Sequence, residues 1–178
     1  MPTAYKLFRV KKSDPGKLFP LFVLANEEVP VGEWLEAQEG DLLPSGKVRS
    51  RLGPLAFRPG WHLSDIPLAV HIGKKGEDGT IQYMCPDHVW CECEYSDAVD
   101  YQEEANANGT KGSKFDPKMA YLQKIPKNGC YRYKTSPMML GTWIIAGEIR
   151  ITRILSDEEV ADICRANGYE PMPRWQDK

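Results

Sequence analysis

The strongest constraint on the fold is a strand pattern in the middle of the chain, at residues 89–95. Successive side chains of a β-strand point to opposite faces, so a period of two marks a strand with two different surroundings. Here the two sets of alternating residues are Val89, Cys91, Cys93 and Tyr95, and Trp90, Glu92 and Glu94. The pattern predicts a strand that is buried on its cysteine face and more polar on the other.

Shorter apolar runs predict the remaining strands. Residues 5–10 indicate a first strand, and a turn at residues 11–16, which contains Asp-Pro-Gly, leads to a second run at residues 18–24. Two such runs joined by a turn favour a hairpin. Residues 130–134 and 142–155 supply the last strands, and residues 32–37 are interpreted as a short helical turn.

The end of the chain carries the signature of a helix. Ser156 and Glu159 have the spacing of a capping box, and Leu155 and Val160 that of a hydrophobic staple, while Gly168 lies where a C-terminal cap belongs. Together the elements predict an α+β fold with a mixed, mostly antiparallel β-sheet core, a few short helices and a C-terminal helix. We expect residues 1–178 to form a single domain.

Charge and composition exclude several classes of protein. The chain has 23 Lys and Arg against 25 Asp and Glu, which makes bulk nucleic-acid binding unlikely on electrostatic grounds. It has no apolar run long enough to span a membrane, and its N-terminus lacks the pattern of a signal peptide. Five cysteines are an odd and modest number, which favours a reducing compartment. We therefore expect a cytoplasmic location and no membrane partner.

Residues 58–71 are the first candidate for a functional site. Pro59-Gly60 predicts a turn, Trp61 and His62 follow it, and Ser64 is interpreted as the N-cap of a short helix that would bring His71 toward the same pocket. An imidazole titrates near neutral pH and can act as an acid, a base or a hydrogen-bond partner. The alternative is that Trp61 is a core residue and that each histidine only satisfies a backbone carbonyl.

Two carboxylates extend the candidate site. Glu92 lies near the centre of its predicted strand, and Glu148 follows an apolar run on a predicted central strand, where a buried carboxylate needs a partner or a pocket. Glu92 could equally belong to a solvated strand face, and Glu148 could pair with Arg150. Residues 131–134, Tyr-Arg-Tyr-Lys, interleave cations with aromatic rings and suit a phosphate or a stacked base, although ordinary exposed strands share this pattern.

Residues 85–93 contain three cysteines and a histidine, which raises the question of zinc. A structural zinc site takes four ligands, commonly from two turns, and no second Cys-x-x-Cys occurs in the chain. Cys91 and Cys93 also fit the face of a half-buried strand. We therefore expect no metal cofactor.

Several motifs of the chain resemble an uncharacterised domain found in large polyvalent proteins of bacteriophages and mobile elements. The resemblance covers nearly the whole chain and rests on KLFPLFV, VGEWLEA, RPGWHLSDIPLAVHIG, VWCECEY, YRYKTSP and WIIAGEIRITRILSDEEV. It implies the cytoplasm of a bacterial host as the location and a host or virion protein as a partner. It implies no reaction.

The layout is also similar, more weakly, to the ADP-ribosyltransferase fold. Residues 5–9, 60–65 and 147–149 correspond to the strand with a basic residue, the strand-to-helix motif and the late strand with a catalytic glutamate. The resemblance implies that Arg9 binds NAD, that Trp61 or His62 lines the nicotinamide pocket, and that Glu148 bonds the ribose. Arg58 and Ser64, on either side of Trp61 and His62, complete the predicted cofactor-binding set. No glycine follows Arg9, and Ala146 stands where arginine-modifying members carry Gln or Glu.

Three functions follow as hypotheses. The first is an ADP-ribosyltransferase-like, NAD-binding enzyme with a pocket around His62, His71 and Glu148. The second is a phage hydrolase or nuclease that uses His62 and His71 with Glu92. The third is a non-enzymatic accessory or binding module, suggested by the tryptophans predicted in loops, which are Trp34, Trp61 and Trp175.

Overall fold

The computed structural model describes residues 1–51, 53–109 and 119–174, and Trp175 therefore lies outside the described residues. These ranges hold eleven strands, two α-helices and one 3-10 helix at Val70–Ile72. In chain order the elements are β1 (Thr3–Lys11), β2 (Asp14–Phe19), β3 (Trp34–Glu36), β4 (Trp61–Ser64), β5 (Lys74–Lys75), β6 (Ile81–Gln82), β7 (His88–Tyr95), β8 (Val99–Asp100), α1 (Gln102–Ala107), β9 (Gly129–Tyr133), β10 (Trp143–Ala146), β11 (Glu148–Ile154) and α2 (Asp157–Ala166). Neither α-helix has the length and apolar character needed to cross a membrane, within the described residues.

Nine of the strands form one sheet in the order β3-β11-β7-β1-β4-β10-β9-β8, with β2 paired to β1 beside this path. The described strand pairs are antiparallel except β8 with β9. The prediction of a mixed, mostly antiparallel sheet with a few short helices and a C-terminal helix is confirmed. The sheet accounts for more of the molecule than the helices do.

The strand predicted from the alternating pattern is confirmed as β7. Its residues 88–94 pair with residues 3–9 of β1 along the whole shared length. Cys91, Cys93 and Tyr95 are buried in one core cluster, while Trp90 is buried in a different cluster on the opposite face. Alternation therefore reflects two separate cores on the two faces of β7 rather than one core and solvent.

The sheet curls back on itself because β10 and β11 are separated only by Gly147. From β11 the sheet continues through β7, β1 and β4 to β10. Because β10 and β11 are consecutive in the chain, the first and last strands of this path belong to one bent segment. Small and apolar side chains fill the inside of this curl, namely Ala4, Phe8, Leu63, Cys91, Cys93, Ile144, Ala146, Ile149 and Ile151. At the bend, a Cβ on residue 147 would lie 2.0 Å from the carbonyl oxygen of Pro126, so only glycine fits.

The outer face of the sheet carries two further clusters. The α2 helix covers one of them with Val160 and Cys164, which pack with Leu7, Trp90 and Leu155. The predicted capping box of this helix is confirmed, since Ser156 Oγ accepts a hydrogen bond from the Glu159 backbone N–H and Glu159 Oε1 accepts one from the Ser156 N–H. The other cluster surrounds Tyr131 and Ile145 beside α1.

The hairpin prediction is confirmed, with different bounds for its second strand. Strand β2 begins at Asp14, inside the segment predicted as a turn, and ends before Pro20.

Two helical predictions are wrong. Residues 34–36 form strand β3 rather than a helical turn, because they pair with residues 148–150 of β11. Ser64 is the last residue of strand β4 and not a helix N-cap, since it pairs with Tyr5 and Trp143. In both cases pairing with a strand distant in sequence overrides the local turn chemistry.

Candidate functional site

The candidate site is a cleft that opens where strands β1 and β4 part. One edge of β1 pairs with β7 throughout residues 3–9. The other edge pairs with β4 at Tyr5 alone and with β2 from Arg9 onward. The stretch between these two points lies beside a cleft of about 580 Å³, whose lining includes Tyr5, Lys6 and Leu7. We call this cavity the β1–β4 cleft.

Two sets of charged and aromatic side chains lie among the many aliphatic residues that line the β1–β4 cleft. One set joins cations to rings and consists of Lys6, Phe57, Arg58, Trp61, His62, Tyr133 and Trp143. The other is acidic, comes from a different chain segment, and consists of Glu27, Glu28, Glu36 and Glu39. The cleft thus presents both positive and negative groups to a ligand, together with flat aromatic surfaces.

Lys6 connects the two strands that border the cleft. Its Nζ donates a hydrogen bond of 3.0 Å to the carbonyl oxygen of His62 and lies 5.6 Å and 5.8 Å from the ring centroids of Phe8 and Trp61. Burial lowers the pKa of Lys6 to about 8. The side chain is therefore a cation at neutral pH, held among aromatic rings at the edge of the inner core.

His62 is a neutral imidazole at physiological pH. Burial first, and then the nearby charges of Lys6 and Arg58, lower its pKa to about 3. Its Nδ1 lies 3.2 Å from the carbonyl oxygen of Gly60, which can only accept, so Nδ1 carries the proton and Nε2 is a hydrogen-bond acceptor. The ring meets Tyr133 and Trp143 edge to face, at centroid distances of 6.4 Å and 6.0 Å.

The backbone at residue 60 sets the position of this histidine. Gly60 has φ of +115°, and a Cβ there would lie 2.4 Å from the Cγ2 atom of Ile145. Glycine alone allows the chain to turn so closely against β10 and then enter β4. The predicted turn at Pro59-Gly60 is therefore present, and it leads into a strand.

Arg58 is stacked on aromatic rings at the wall of the cleft. The guanidinium carbon lies 4.1 Å from the ring centroid of Tyr133 and 5.3 Å from that of Tyr121. Its Nη1 donates hydrogen bonds to the carbonyl of Ala120 and to the Tyr131 hydroxyl, the latter at 3.4 Å. Burial raises the pKa of Tyr133 to about 12, so its hydroxyl remains protonated.

The structure brings together some of the predicted site residues. Arg58, Trp61 and His62 line the same cleft. His71 is exposed and meets Trp143 edge to face at 4.9 Å, so that Trp143 contacts both histidine rings. Ser64 is buried on the same strand as His62, and its hydroxyl has no hydrogen-bond partner among the described residues.

Arg9, Glu92 and Glu148 lie outside the described lining of the cleft, as His71 and Ser64 also do. Arg9 is 8% exposed, and its Nη2 donates a hydrogen bond of 2.6 Å to the carbonyl of Ala25. Glu92 accepts a hydrogen bond of 3.1 Å from Thr152 Oγ1 and lies 3.5 Å from Arg153. Glu148 has a side chain that is 14% exposed, and its nearest cation is Lys127 at 3.9 Å.

Sequence reasoning missed Lys6 and Trp143 as site residues. The signal for Lys6 was a lysine in the middle of a strand whose neighbours are otherwise apolar or aromatic. A lysine at such a position is costly to bury unless it faces a cavity or a partner. Trp143 carried no distinguishing signal, because a tryptophan that opens an apolar strand is also an ordinary core residue.

Comparison of the chain with protein families, with curated proteins and with solved structures finds no match. The chemistry of the β1–β4 cleft must therefore be inferred from its own residues. Lys6 and Arg58 can hold an anionic group, the rings of Trp61, Tyr133 and Trp143 can contact a flat ring system, and His62 Nε2 can accept a hydrogen bond.

Proposed function

We propose that the β1–β4 cleft binds a nucleotide-class ligand, a flat ring joined to an anionic phosphate, of which NAD is the member that fits best. The observation that carries the proposal is that Lys6 and Arg58 share one cleft with the rings of Trp61, Tyr133 and Trp143. A phosphate needs the cations, and a base or nicotinamide ring needs the flat apolar surfaces.

The dimensions and the charges of the cleft support this ligand class. Its volume of about 580 Å³ lies within the range of sites for small molecules and cofactors. The oxidised nicotinamide ring is positively charged, and the glutamates at residues 27, 28, 36 and 39 supply negative charge in the same cleft. NAD therefore suits the lining better than a nucleotide with phosphate charge alone.

The resemblance to the ADP-ribosyltransferase layout also implies NAD as a cofactor. Of the predicted cofactor-binding residues, Arg58 and Trp61 line the cleft, whereas Arg9 lies outside its described lining. Transfer of ADP-ribose would need a glutamate beside the ribose, whereas Glu148 lies next to Lys127 and outside the described lining. The proposal therefore extends to binding and not to a transfer reaction.

Hydrolysis by His62 has less support. A general base works best when its pKa lies near the working pH, and the pKa of His62 is about 3. At neutral pH its Nε2 accepts hydrogen bonds well but removes protons poorly. We assign His62 the role of recognising a donor on the ligand, such as an amide N–H.

Titration calorimetry with NAD, ADP-ribose, AMP and nicotinamide tests the proposal. We expect NAD to bind more tightly than ADP-ribose, because only NAD places a cationic ring near the glutamates. Lys6→Met should weaken NAD binding by about 10-fold or more, since a hydrogen bond to a charged group is worth about 1.5–3 kcal/mol.

Lys11→Met is the matched control, because Lys11 is also on β1 but contacts Phe19 and not the cleft. It should bind NAD like the wild type. If NAD binds more weakly than about 1 mM, or if Lys6→Met and Lys11→Met have equal effects, the proposal is wrong. Circular dichroism on both variants verifies that the fold is retained.

A further inference from the structure

A second cluster of reactive side chains lies in the turn that leads into β7. The Sγ atom of Cys85, a carboxylate oxygen of Asp87 and a ring nitrogen of His88 all lie within 4.8 Å of one another. These residues do not belong to the described lining of the β1–β4 cleft. A thiol, a carboxylate and an imidazole from residues 85–88 thus lie close enough together to surround one ion.

His88 supplies the independent sign that this spot holds a ligand. The residue is 3% exposed, and neither of its ring nitrogens has a hydrogen-bond partner among the described residues. Among the described residues, the buried Oδ1 atom of Asp87 also has no hydrogen-bond partner, and it lies 4.0 Å from His88 Nε2. At this distance the two groups form no hydrogen bond with each other.

Buried polar atoms without partners are rare in folded proteins, and each one is unfavourable. Here the unpartnered atoms, an imidazole nitrogen and a carboxylate oxygen, are both of types that bind metals, and a thiol lies beside them. We propose that Cys85, Asp87 and His88 bind one divalent transition-metal ion, with Zn²⁺ as the ion that this donor set fits best.

The donor set determines the choice of metal. Thiolate and imidazole ligands select zinc and related ions over Mg²⁺ and Ca²⁺, which take oxygen ligands. Three protein ligands leave a fourth tetrahedral position for water or a substrate. Ligand atoms around zinc lie roughly 3.5 Å apart, so ligand atoms that are now up to 4.8 Å apart need to approach by about 1.3 Å at most.

The charges around the turn permit such an ion. Arg9, Arg51 and Arg174 lie near His88, and their positive charge opposes an added cation. The thiolate and the carboxylate contribute two negative charges, which balance those of the metal. Arg174 is itself paired with Asp157 at 2.7 Å, which reduces its effect on the site.

This ligand set differs from the one that the sequence suggested for zinc. Cys91 and Cys93 are fully buried inside the curl of the sheet, and burial raises the pKa of both thiols. They are therefore unsuited to bind a metal as thiolates. The proposed site at residues 85–88 does not need Cys91 or Cys93 as ligands. The proposal therefore differs from the prediction, made from the sequence, that the protein binds no metal.

Titration of the chelator-treated protein with Co²⁺ and with Zn²⁺ tests the proposal. We expect one Co²⁺ per chain, with the visible bands of tetrahedral cobalt and a thiolate-to-cobalt charge-transfer band, both abolished by Zn²⁺. Cys85→Ser should remove the charge-transfer band and lower the affinity for Zn²⁺ by more than about 100-fold. Even the loss of a residue that only hydrogen-bonds to a ligand lowers metal affinity by about 10- to 100-fold.

Matched controls separate the site from the rest of the chain. Cys164→Ser removes a thiol elsewhere and keeps a donor for the carbonyl of Pro67, and Asp97→Asn removes an exposed carboxylate, so both should bind Co²⁺ like the wild type. Asp87→Asn should weaken binding as Cys85→Ser does. Absence of the charge-transfer band in the wild type, or equal Zn²⁺ affinity in Cys85→Ser and Cys164→Ser, would overturn the proposal.

Discussion

The Nζ atom of Lys6 donates a hydrogen bond of 3.0 Å to the carbonyl oxygen of His62, across the gap between β1 and β4. The two strands share one residue pair in the sheet, Tyr5 with Ser64. Beyond this pair, where backbone pairing ends, the Lys6 side chain provides a further hydrogen bond between β1 and β4. The cleft opens in the same gap, so Lys6 both links β1 to β4 and lines the proposed ligand site.

Relative to a Lys6→Met variant, the wild type should gain stability as the pH rises from 8 to 10. The folded-state pKa of Lys6 is about 8 against 10.5 for an ordinary lysine, so between these values the unfolded chain binds more protons than the folded one. Wild-type stability then rises with pH in this window, by about 2 kcal/mol between pH 8 and 10. Urea unfolding of both proteins at pH 7 and pH 10 measures the difference.

The cysteine thiols of the unfolded chain also ionise in this range, whereas burial raises the pKa of Cys91 and Cys93 in the folded protein. This effect is present in both proteins and largely cancels in the comparison. A difference between Lys6→Met and wild type that stays constant from pH 7 to pH 10 would contradict a lowered pKa at Lys6.

Acid should destabilise the wild type more than a His62→Asn variant. The folded-state pKa of His62 is about 3 against 6.5 for an ordinary histidine, so below pH 6.5 the unfolded chain takes up a proton that the folded chain does not. Stability is lost as the pH falls from 6.5 toward 3, by about 2 kcal/mol at pH 5. Urea unfolding at pH 7 and pH 5 should show this extra loss in the wild type only, and equal losses in both proteins would contradict it.

The sequence predicted those elements whose determinants are local. The alternation at residues 89–95 predicted β7, and the spacing of Ser156 and Glu159 predicted the capping box of α2, because both patterns depend on residues close together in the chain. The hairpin was also predicted, although its second strand starts four residues earlier, at Asp14.

The elements that the sequence did not predict depend on distant partners. Strand β3 has three residues and exists because β11 pairs with them, which no local pattern encodes. The cleft likewise follows from where β4 and β2 meet one edge of β1. For this reason the candidate residues Arg58, Trp61 and His62 were identifiable by composition, whereas Lys6 became a site residue only through the pairing of strands.

Ser156→Ala should lower the free energy of unfolding by about 1 kcal/mol, the usual cost of losing an N-cap side chain. The hydroxyl accepts a hydrogen bond of 3.1 Å from the Glu159 N–H, which would otherwise lack an intrahelical partner. Thermal unfolding followed by circular dichroism measures the loss. Asp162→Ala, an exposed change in the same helix, serves as the control and should alter stability by no more than about 0.7 kcal/mol. Equal effects of the two changes would mean that the cap contributes nothing.

Gly147→Ala should destabilise the protein by about 3 kcal/mol or more. The added methyl group would overpack the site, and only a movement of the backbone could relieve the clash. A Cβ at this residue would lie 2.0 Å from the carbonyl oxygen of Pro126 and 2.9 Å from the carbonyl carbon of Lys127, and neither is a flexible side chain. Relief would require the bend between β10 and β11 to open, which also separates the strands that close the curled sheet. Gly16→Ala is the matched control, since its Cβ would meet only Asp14 at 3.8 Å, and it should change stability by less than about 1 kcal/mol. Urea unfolding of both variants gives the comparison, and a Gly147→Ala protein as stable as Gly16→Ala would show that the bend does not depend on this close approach.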